Sequence, residues 1–371
     1  MTFSDQDHSW MTQALRLAEL GLYTTDPNPR VGCILVRDGV VVGQGWHQRA
    51  GEDHAEIIAL KQAGSAAQGA TAYVTLEPCS HFGKTPPCAN ALINAGINRV
   101  VVAMQDPNPL VAGRGLECLR SAGIIVECGL LEQAAELLNK GFCKRMRSKL
   151  PWVMSKLAVS LDGRTSMANG DSKWITSADA RRDVHRLRAR SSALLSAAGT
   201  VRIDNPALTA RLDDETIDVI QPVRVVLDSG LDLNPEQQVF TQAGRVVVFT
   251  LCDDLPKHQL FTDNNVEICV VSADEKGQVS IPSVLQQLAE FEMNEVMVEA
   301  GPILNGSLLE QGLVDEWIVY QAAVVLGHQA HGMFNLAEKT SVAQGPRLQL
   351  VDTRKVGVDL RLHYIAEHSK K

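Results

Sequence analysis

Four residues in the first third of the chain could build a catalytic metal site. His54, Cys79 and Cys88 offer one imidazole and two thiolates, and Glu56 follows His54 by two positions. A catalytic zinc ion takes three protein ligands and keeps an open position for water, and this set would supply the three ligands. Glu56 could reach the water without ligating the metal, and could act as general base and then as general acid. The four residues predict metal-assisted hydrolysis.

Alternating strands and helices are predicted to position these residues. In the first half, the pattern predicts helices near 10–18 and over 55–63, 88–95 and 116–122, and strands over 31–36, 40–42, 72–76, 99–104 and 124–127. Asp38-Gly39 is a strong two-residue hairpin signal between the first two strands. His54 would open a helix, whereas Cys79 and Cys88 would follow a strand into the next helix.

A second series of strands and helices follows the basic stretch 140–149, which we interpret as a linker ending at Pro151. It comprises strands over 152–159, 223–227, 246–249, 268–271, 296–299 and 317–321, a strand near 194, and a helix from the capping residue Ser177 to Arg190. Strands that alternate with helices predict an α/β layered architecture in both halves.

The segment around Gly301 is predicted to run from strand through a glycine turn into a helix. Gly301 would let the backbone approach a ligand closely, and the amides at the start of the helix would suit a phosphate. A tight strand-to-helix connection explains the same pattern equally well, and the segment is not the Rossmann fingerprint.

Composition restricts the class of protein. The 371 residues are 45% hydrophobic and 21% charged, which is typical of a globular chain of two domains. The net charge of −8 gives no general attraction to nucleic acid, and the arginine run over 181–190 has the spacing of one solvated or pocket-facing helix. The acidic N-terminus lacks a signal-peptide pattern, and no apolar run reaches the ~18 residues of a membrane span. We expect a cytoplasmic protein with no nucleic-acid or membrane partner, whose eight cysteines are thiols or metal ligands.

The order of the metal-site residues matches the His-x-Glu and Pro-Cys-x-x-Cys signature of zinc deaminases, with one departure. Eight residues separate Cys79 from Cys88, where the signature has two. A closed structural zinc site with His81 as the fourth ligand, or two unrelated buried thiols, are the alternatives. Neither alternative gives Glu56 a purpose.

Longer strings resemble a known family. Residues 27–33, 51–56, 76–88 and 105–109 resemble the deaminase domain of the bifunctional riboflavin-biosynthesis deaminase/reductases, and 156–165, 174–177, 203–211 and 299–302 resemble the reductase domain in the same order. The resemblance covers roughly Met11 to Tyr320, and it weakens over 212–295 and beyond Gly327.

The resemblance implies a cytidine-deaminase-like αβα layered domain over 1–147 and a dihydrofolate-reductase-like α/β domain over 148–371. It implies zinc-dependent hydrolytic deamination of 2,5-diamino-6-(5-phosphoribosylamino)pyrimidin-4(3H)-one. The second domain would then use NADPH to reduce the ribosyl side chain of 5-amino-6-(5-phosphoribosylamino)uracil to ribityl. The expected cofactors are Zn²⁺ and NADPH, the expected partners are small phosphoribosyl pyrimidines, and a homodimer or higher homo-oligomer is expected.

The resemblance also assigns residues. It gives zinc to His54, Cys79 and Cys88, and proton transfer to Glu56. The deaminase substrate would contact Asn28, His47, Lys84, Asp106 and Asn108. The reductase substrate would contact Ser172, Arg188, Leu208, Arg211 and Glu299. NADPH would contact Ala158, Trp174, Thr200, Asp204, Gly301, Pro302, Ile303, Leu304, Asn305, Gly306 and Ser307.

Elementary chemistry supports part of this assignment. Arg188 and Arg211 suit phosphate clamps, because a planar guanidinium donates paired hydrogen bonds to phosphate oxygens. Taken singly, Lys84 and Asp106 would be solvated loop charges, Arg188 a solvated helix face and Asp204 a turn-capping carboxylate.

Two other functions remain open at this point. One is a nucleoside, nucleotide or tRNA deaminase whose second half binds a regulator. The other is a non-catalytic scaffold stabilised by zinc. Failure to oxidise NADPH would favour the first, and unfolding on metal removal without activity on any aminopyrimidine would favour the second.

Overall fold

The computed structural model describes residues 3–80, 87–109, 111–214, 216–262 and 264–366. The chain forms two compact units, Met1–Leu150 and Pro151–Lys371. Within the described ranges, no helix is both long enough and apolar enough to cross a bilayer.

Unit 1 is a five-stranded sheet between two helical layers. Its strands are β1 (Gly32–Arg37), β2 (Val40–Trp46), β3 (Thr71–Val74), β4 (Arg99–Val102) and β5 (Ile125–Cys128), in the order β2-β1-β3-β4-β5. Its helices are α1 (Asp5–Glu19), α2 (Ala55–Ala63), α3 (Cys88–Asn94), α4 (Arg114–Ser121), α5 (Glu132–Leu138) and α6 (Lys140–Ser148).

Each face of this sheet has its own apolar core, because successive strand residues point to opposite sides. Cys33 and Leu35 of β1 pack with α2, α3 and α4, whereas Ile34 and Val36 of the same strand pack with α1, α5 and α6. The predicted αβα layering is confirmed. The predicted hairpin is confirmed as well, since Asp38 and Gly39 both take the positive φ that a two-residue turn requires.

The linker predicted over 140–149 is wrong. Lys140–Ser148 is helix α6, and its Gly141 and Cys143 are buried against the sheet of unit 1. Its charged residues occupy the outer face of an amphipathic helix. The sequence of such a helix resembles a polar linker when the helical period is ignored. The chain leaves this helix at Lys149, whose φ is positive, and unit 2 begins at Pro151.

Unit 2 contains eleven strands, nine in one large sheet and two in a separate small sheet. The strands are β6 (Trp152–Val159), β7 (Arg164–Ser166), β8 (Ala193–Ala197), β9 (Val223–Leu227), β10 (Val246–Thr250), β11 (Val266–Val270), β12 (Glu295–Val298), β13 (Glu316–Gln321), β14 (His331–Gly332), β15 (Leu348–Val356) and β16 (Asp359–Ala366). The helices are α7 (Ala178–Arg190), α8 (Ala198–Asp204), α9 (Gln238–Thr241), α10 (Leu255–Thr262), α11 (Ile281–Glu290) and α12 (Pro302–Glu310).

The order of the large sheet is β11-β10-β9-β8-β12-β6-β13-β16-β15, and β7 pairs with β14 separately. Strands β6 and β8 to β13 are parallel, and only the C-terminal hairpin β15–β16 is antiparallel to its neighbours. The predicted α/β class is confirmed. The C-terminal hairpin β15–β16 was not predicted from the sequence.

Side chains of strand β16 form hydrogen bonds with helix α7 and with its N-cap residue. Asp359 accepts a hydrogen bond from the backbone N–H of Ser177 at 2.7 Å, and Ser177 is the residue that caps α7. Arg361 donates to Asp183 of α7 at 3.0 Å, and the Tyr320 hydroxyl donates to the same carboxylate at 2.6 Å. The last strand therefore fixes both the start and the middle of α7.

Candidate active sites

The candidate metal ligands of unit 1 lie at one edge of its sheet. Strands β3 and β4 are parallel, and β1 runs antiparallel to β3, with Cys33 opposite Val74. The end of β3, the end of β4, the start of β1 and the end of β2 therefore share this edge. The loops that leave it carry Asn28, His47, His54, Cys79 and Asp106.

His54, Cys79 and Cys88 form one compact donor cluster. The Nδ1 atom of His54 lies 3.2 Å from the sulfur of Cys88 and 3.6 Å from that of Cys79, and the three donor atoms all lie within 4.8 Å of one another. Donors about 2.0–2.3 Å from a tetrahedral zinc ion lie at such separations. A hydrogen bond with the Cys88 thiol, followed by one with His54, holds the pKa of Cys79 below its usual range, which favours the thiolate that a metal binds.

Glu56 lies beside this cluster and is not one of the three donors. It sits in the first turn of α2, after His54 at the N-cap, and its side chain is buried. Burial raises the pKa of Glu56 to about 7, although the neighbouring His54 opposes the shift. A carboxyl group with such a pKa can both accept and release a proton near neutrality.

Asn28 and His47 form a polar pair next to the donor cluster. The Nδ2 atom of Asn28 is 3.0 Å from Nε2 of His47, and Nδ1 of His47 is 3.1 Å from the carbonyl oxygen of Asp53. The rings of His47 and His54 meet edge to face with centroids 5.4 Å apart. Burial lowers the pKa of His47, which favours a neutral ring with one donor and one acceptor nitrogen.

Asp106 and Asn108 lie in the loop after β4. The Asp106 carboxylate accepts a hydrogen bond from the backbone N–H of Asn108 at 2.8 Å, and this bond closes a local turn. Glu77 accepts a hydrogen bond from the backbone N–H of Asp106 at 3.1 Å. The remaining predicted substrate residue, Lys84, lies outside the described residues, as does His81, the alternative fourth ligand.

Unit 2 contains a large cavity of about 1530 Å³. Most of the residues predicted for the reductase line it: Ala158, Ser172, Trp174, Arg188, Thr200, Asp204, Leu208, Arg211, Glu299, Gly301, Pro302, Ile303, Leu304 and Ser307. The start of α12 faces this space through Gly301, whose backbone N–H donates to the hydroxyl of Thr200 at 3.1 Å.

Asn305 and Gly306, also predicted to contact the cofactor, do not line the cavity. Asn305 is fully buried, accepts a hydrogen bond from the Ser155 hydroxyl at 2.6 Å and donates to the carbonyl of Ala300 at 2.7 Å. A Cβ on Gly306 would lie 2.1 Å from the carbonyl oxygen of Asn335, because the two backbones are in direct contact there. Both residues shape the turn from inside the protein.

Glu299 is the centre of a charged cluster in the cavity wall. Arg188 binds it through two nitrogen atoms, and Nζ of Lys156 lies 3.0 Å from its Oε2 atom. Arg188 also donates to the carbonyl oxygen of Thr209 at 3.1 Å, so three of the five N–H groups of its guanidinium point to protein acceptors. Arg211, in contrast, is exposed, and its backbone N–H donates to Nδ1 of His185 at 3.2 Å.

Two further contacts order the cavity mouth. The Ser172 hydroxyl donates to the carboxylate of Asp204 at 3.1 Å, which joins the loop before α7 to the end of α8. The exposed ring of Trp174 is covered by the Arg181 guanidinium, 4.4 Å from the ring centroid, in a cation–π contact.

Comparison with known proteins identifies the family. The family model for the RibD C-terminal domain matches residues 151–362, and the model for the cytidine and deoxycytidylate deaminase zinc-binding region matches residues 4–104. The riboflavin biosynthesis protein RibD of Escherichia coli is 48% identical over 369 residues, which cover 97% of this chain and 99% of that protein. The chain belongs to the RibD family.

Further RibD relatives and solved structures agree over nearly the full length. The RibD protein of Haemophilus influenzae is 46% identical and covers 98% of this chain and 98% of its own. The RibD structure from Acinetobacter baumannii has a TM-score of 0.91 at 44% identity, covering 97% and 99% of the two chains. The Thermotoga maritima structure, titled diaminohydroxyphosphoribosylaminopyrimidine deaminase/5-amino-6-(5-phosphoribosylamino)uracil reductase, has a TM-score of 0.86 at 34% identity with the same coverage.

As a RibD protein, this chain is a bifunctional deaminase and reductase of riboflavin biosynthesis that acts on small molecules and uses Zn²⁺ and NADPH. The resemblance stated from sequence is confirmed. The alternatives of a regulator-binding second half and of a non-catalytic scaffold are excluded.

The residues present fit both cofactors. One imidazole and two thiols with interatomic distances of 3.2 and 3.6 Å form a donor set that suits zinc. The cavity of unit 2 is larger than the ~300–1,000 Å³ of a single small-ligand site, and the start of the nine-residue helix α12 opens into it. NADPH and a substrate can share a space of this size.

Three residues of the RibD sites were missed by sequence reasoning. Lys156 and His185 line the cavity, and Glu77 holds the Asp106 loop. Lys156 stands in a string already used for the resemblance, where a charged residue within an apolar strand is a signal of function. Glu77 also stands in such a string, 76–88, whereas His185 carries no sequence signal of its own. Both residues acquire their partners only through the fold.

Proposed function

We propose that this chain performs two consecutive reactions on one phosphoribosyl pyrimidine. Unit 1 hydrolytically deaminates 2,5-diamino-6-(5-phosphoribosylamino)pyrimidin-4(3H)-one, and unit 2 reduces the ribosyl side chain of the resulting 5-amino-6-(5-phosphoribosylamino)uracil to ribityl. The observation that carries the proposal is the buried Glu56 beside a three-donor metal cluster, in one chain with a cavity large enough for a dinucleotide. The Thermotoga maritima relative, a diaminohydroxyphosphoribosylaminopyrimidine deaminase and 5-amino-6-(5-phosphoribosylamino)uracil reductase, supports these two substrates.

In the deaminase, His54, Cys79 and Cys88 would hold a zinc ion, whose chemistry would be to make a water molecule more acidic and more nucleophilic. Glu56 takes the proton of that water and returns it to the departing ammonia. Burial raises the pKa of Glu56, which suits a group that first accepts and then releases a proton.

The polar side chains of unit 1 orient the pyrimidine. Asn28 offers both a donor and an acceptor to the ring edge, and its contact with His47 fixes which group it presents. Asp106 and Asn108 approach from the neighbouring loop of the same sheet edge. Lys84 completes the proposed set as a phosphate contact.

In the reductase, NADPH when bound supplies the reducing equivalents. The proposed cofactor contacts are Ala158, Trp174, Thr200, Asp204 and the segment Gly301–Ser307, in which Asn305 and Gly306 act by shaping the turn. Ser172, Leu208, Arg211 and Glu299 face the substrate. The exposed Arg211 binds the phosphate, whereas Arg188 contributes mainly by holding Glu299 in place.

The two functions are proposed for residues 1–147 and 148–371. We also propose a homo-oligomer, most simply an isologous dimer. Support comes from β15, an edge strand of the large sheet that exposes Leu350 and Val351. A cytoplasmic location is proposed as well, because none of the eight cysteines forms a disulfide. Light scattering of the purified chain tests the oligomer.

Mass spectrometry tests the two reactions. The diaminopyrimidine phosphoribosyl substrate is incubated with the zinc-loaded protein, first without and then with NADPH. Exchange of an amine for oxygen without NADPH, followed by a gain of two hydrogens after its addition, is the expected result. Exchange without the hydrogen gain would contradict the role of unit 2, and no exchange would contradict that of unit 1.

A further inference from the structure

Glu77 is a buried carboxylate that the reaction does not use directly. It stands two positions before the metal ligand Cys79, and its side chain is 3% exposed. Both carboxylate oxygens accept hydrogen bonds from backbone N–H groups. Oε2 accepts from Asp106 at 3.1 Å and Gly113 at 3.0 Å, and Oε1 accepts from Gly115 at 2.8 Å and Leu116 at 3.4 Å.

Three of these donors belong to the start of helix α4. The first amides of a helix have no partner within the helix, and the residue before it usually supplies one from its side chain. Here the N-cap residue is Gly113, which has no side chain to offer. Glu77 therefore caps α4 from another segment of the chain, and its negative charge suits the positive end of the helix.

The fourth donor, Asp106, belongs to the loop that carries the proposed substrate residues. Its backbone N–H is held by Glu77 while its carboxylate accepts from the backbone N–H of Asn108. Glu77 thus sets the position of Asp106, and Asp106 sets that of Asn108. The chain connects this arrangement to the metal ligand through only one intervening residue, Pro78.

Gly115 shows how closely the two segments meet. A Cβ at this position would lie 2.0 Å from the carbonyl oxygen of Pro78 and 3.2 Å from the carboxylate of Glu77. The backbone of α4 therefore lies directly against the turn that leads to Cys79. Any larger residue would push the start of α4 away from Glu77.

We propose that Glu77 is a positioning residue of the deaminase: it ties the loop of Asp106 and Asn108 to the metal-binding turn and so holds these side chains ready for the pyrimidine substrate. This inference rests on the substrate contacts proposed above. A loop that is fixed before binding costs less ordering free energy when the substrate arrives, so the interaction affects substrate affinity more than chemistry.

Glu77→Gln tests the inference, because the carboxamide keeps the size of the side chain but replaces one acceptor oxygen with a donor. Either the Asp106 and Gly113 pair or the Gly115 and Leu116 pair would then face an N–H group. In the zinc-loaded full chain, we expect the KM of deamination to rise at least about tenfold, the effect of losing one hydrogen bond to a charged group. The kcat, the zinc content and the reductase activity are expected to stay within about threefold of their original values.

Glu127→Gln is the matched control. Glu127 lies in the same unit and binds Arg99 at 2.7 Å, away from the substrate loop. This substitution should lower the unfolding temperature and leave the deaminase KM unchanged. An equal rise in KM in both variants would show a general effect of destabilisation and overturn the inference.

A double-mutant cycle with Asn108→Ala separates positioning from an independent role. If Glu77 acts through the loop, Glu77→Gln raises KM much less in the Asn108→Ala background than in the original chain. Equal factors in both backgrounds, or an unchanged KM in Glu77→Gln, would overturn the inference. Should Glu77→Gln fail to fold, Glu77→Asp replaces it, because the shorter side chain keeps the charge but does not reach all four N–H groups. A higher KM with full zinc content supports the inference, and an unchanged KM contradicts it.

The original chain in the same assay distinguishes the two proposals. An original chain that does not deaminate the diaminopyrimidine would overturn the proposed function, and the role of Glu77 with it. An active original chain with an unaltered KM in the variant overturns the role of Glu77 alone.

Discussion

Arg188 on helix α7 binds Glu299, the residue after strand β12, through a two-armed ion pair, with Nε 2.5 Å from Oε1 and Nη2 3.1 Å from Oε2. Burial alone would raise the pKa of Glu299, but Arg188 and then Lys156 outweigh it and hold that pKa well below its usual range. Glu299 is therefore charged, and two cations balance it inside the cavity wall.

Removing Arg188 should destabilise unit 2. In Arg188→Ala, the free energy of unfolding of this unit is expected to fall by about 3 kcal/mol, because the buried carboxylate of Glu299 loses its bidentate ion pair. Chemical denaturation of the full chain, followed through the unit 2 transition, measures the change. Arg182→Ala removes the exposed partner of Asp179 on the same helix and should cost below about 1 kcal/mol. Equal losses in the two variants would contradict the argument.

Glu56→Gln should abolish most deamination without releasing zinc. The amide cannot shuttle protons, so we expect the rate to fall at least about 100-fold while reduction continues unchanged. Ammonia release and metal analysis on the same sample check both statements. Glu52→Gln, at a nearby exposed position, serves as the control and should retain the original rate. Near-normal deamination by a fully zinc-loaded Glu56→Gln chain would remove Glu56 from its role.

Arg211→Ala should affect only the reductase. Loss of a charged hydrogen bond to the substrate phosphate is expected to raise the reductase KM about tenfold or more, while deamination stays as it was. Steady-state oxidation of NADPH measures this. Arg186→Ala removes an exposed arginine of α7 and is expected to leave the KM unaltered. A parallel fall of both activities in Arg211→Ala would instead indicate misfolding.

The lowered pKa of His185 predicts that the stability of unit 2 depends on pH. Burial, followed by the charges of Arg188 and Arg211, lowers the pKa of His185 to about 4, whereas an unfolded histidine titrates near 6.5. Between these values the unfolded chain binds the proton and the folded chain does not, so the free energy of unfolding decreases as the pH falls from about 6.5 to about 4.

His185→Gln isolates this dependence. Denaturation curves across that pH range should show a flatter slope in this variant, and an unchanged slope would contradict the prediction. His328→Gln changes an exposed imidazole of the same unit and should leave the slope as it is.

The apolar strands and their neighbouring helices could be predicted closely from the sequence. Strands β6 and β9 and helix α2 have the predicted bounds, since a predominantly apolar segment of suitable length marks each of them. The C-terminal hairpin escaped prediction because β15 is largely exposed and mixes Asp352, Arg354 and Lys355 with apolar residues. Such a strand shows little of the pattern that burial imposes.

The metal cluster and Glu56 could be predicted because their residue types and spacing carry the chemistry within one short motif. Lys156 and Glu299 could not be paired in this way, since they are far apart in the chain. Strands β6 and β12 lie side by side in parallel, with Ser155 opposite Val298. This register brings Lys156, the residue after Ser155, next to Glu299, the residue after Val298. Only the sheet order supplies that information.

The contacts of β16 with α7 have a consequence for synthesis on the ribosome. Unit 1 is complete once residue 150 has been made, so its sheet can close while the rest of the chain is still being translated. The helix that carries Arg188 lacks the Asp359 contact at its start and the Arg361 contact at its middle until the final strand arrives. The deaminase is therefore expected to mature first during translation, and the reductase to mature only when the nascent chain is nearly finished.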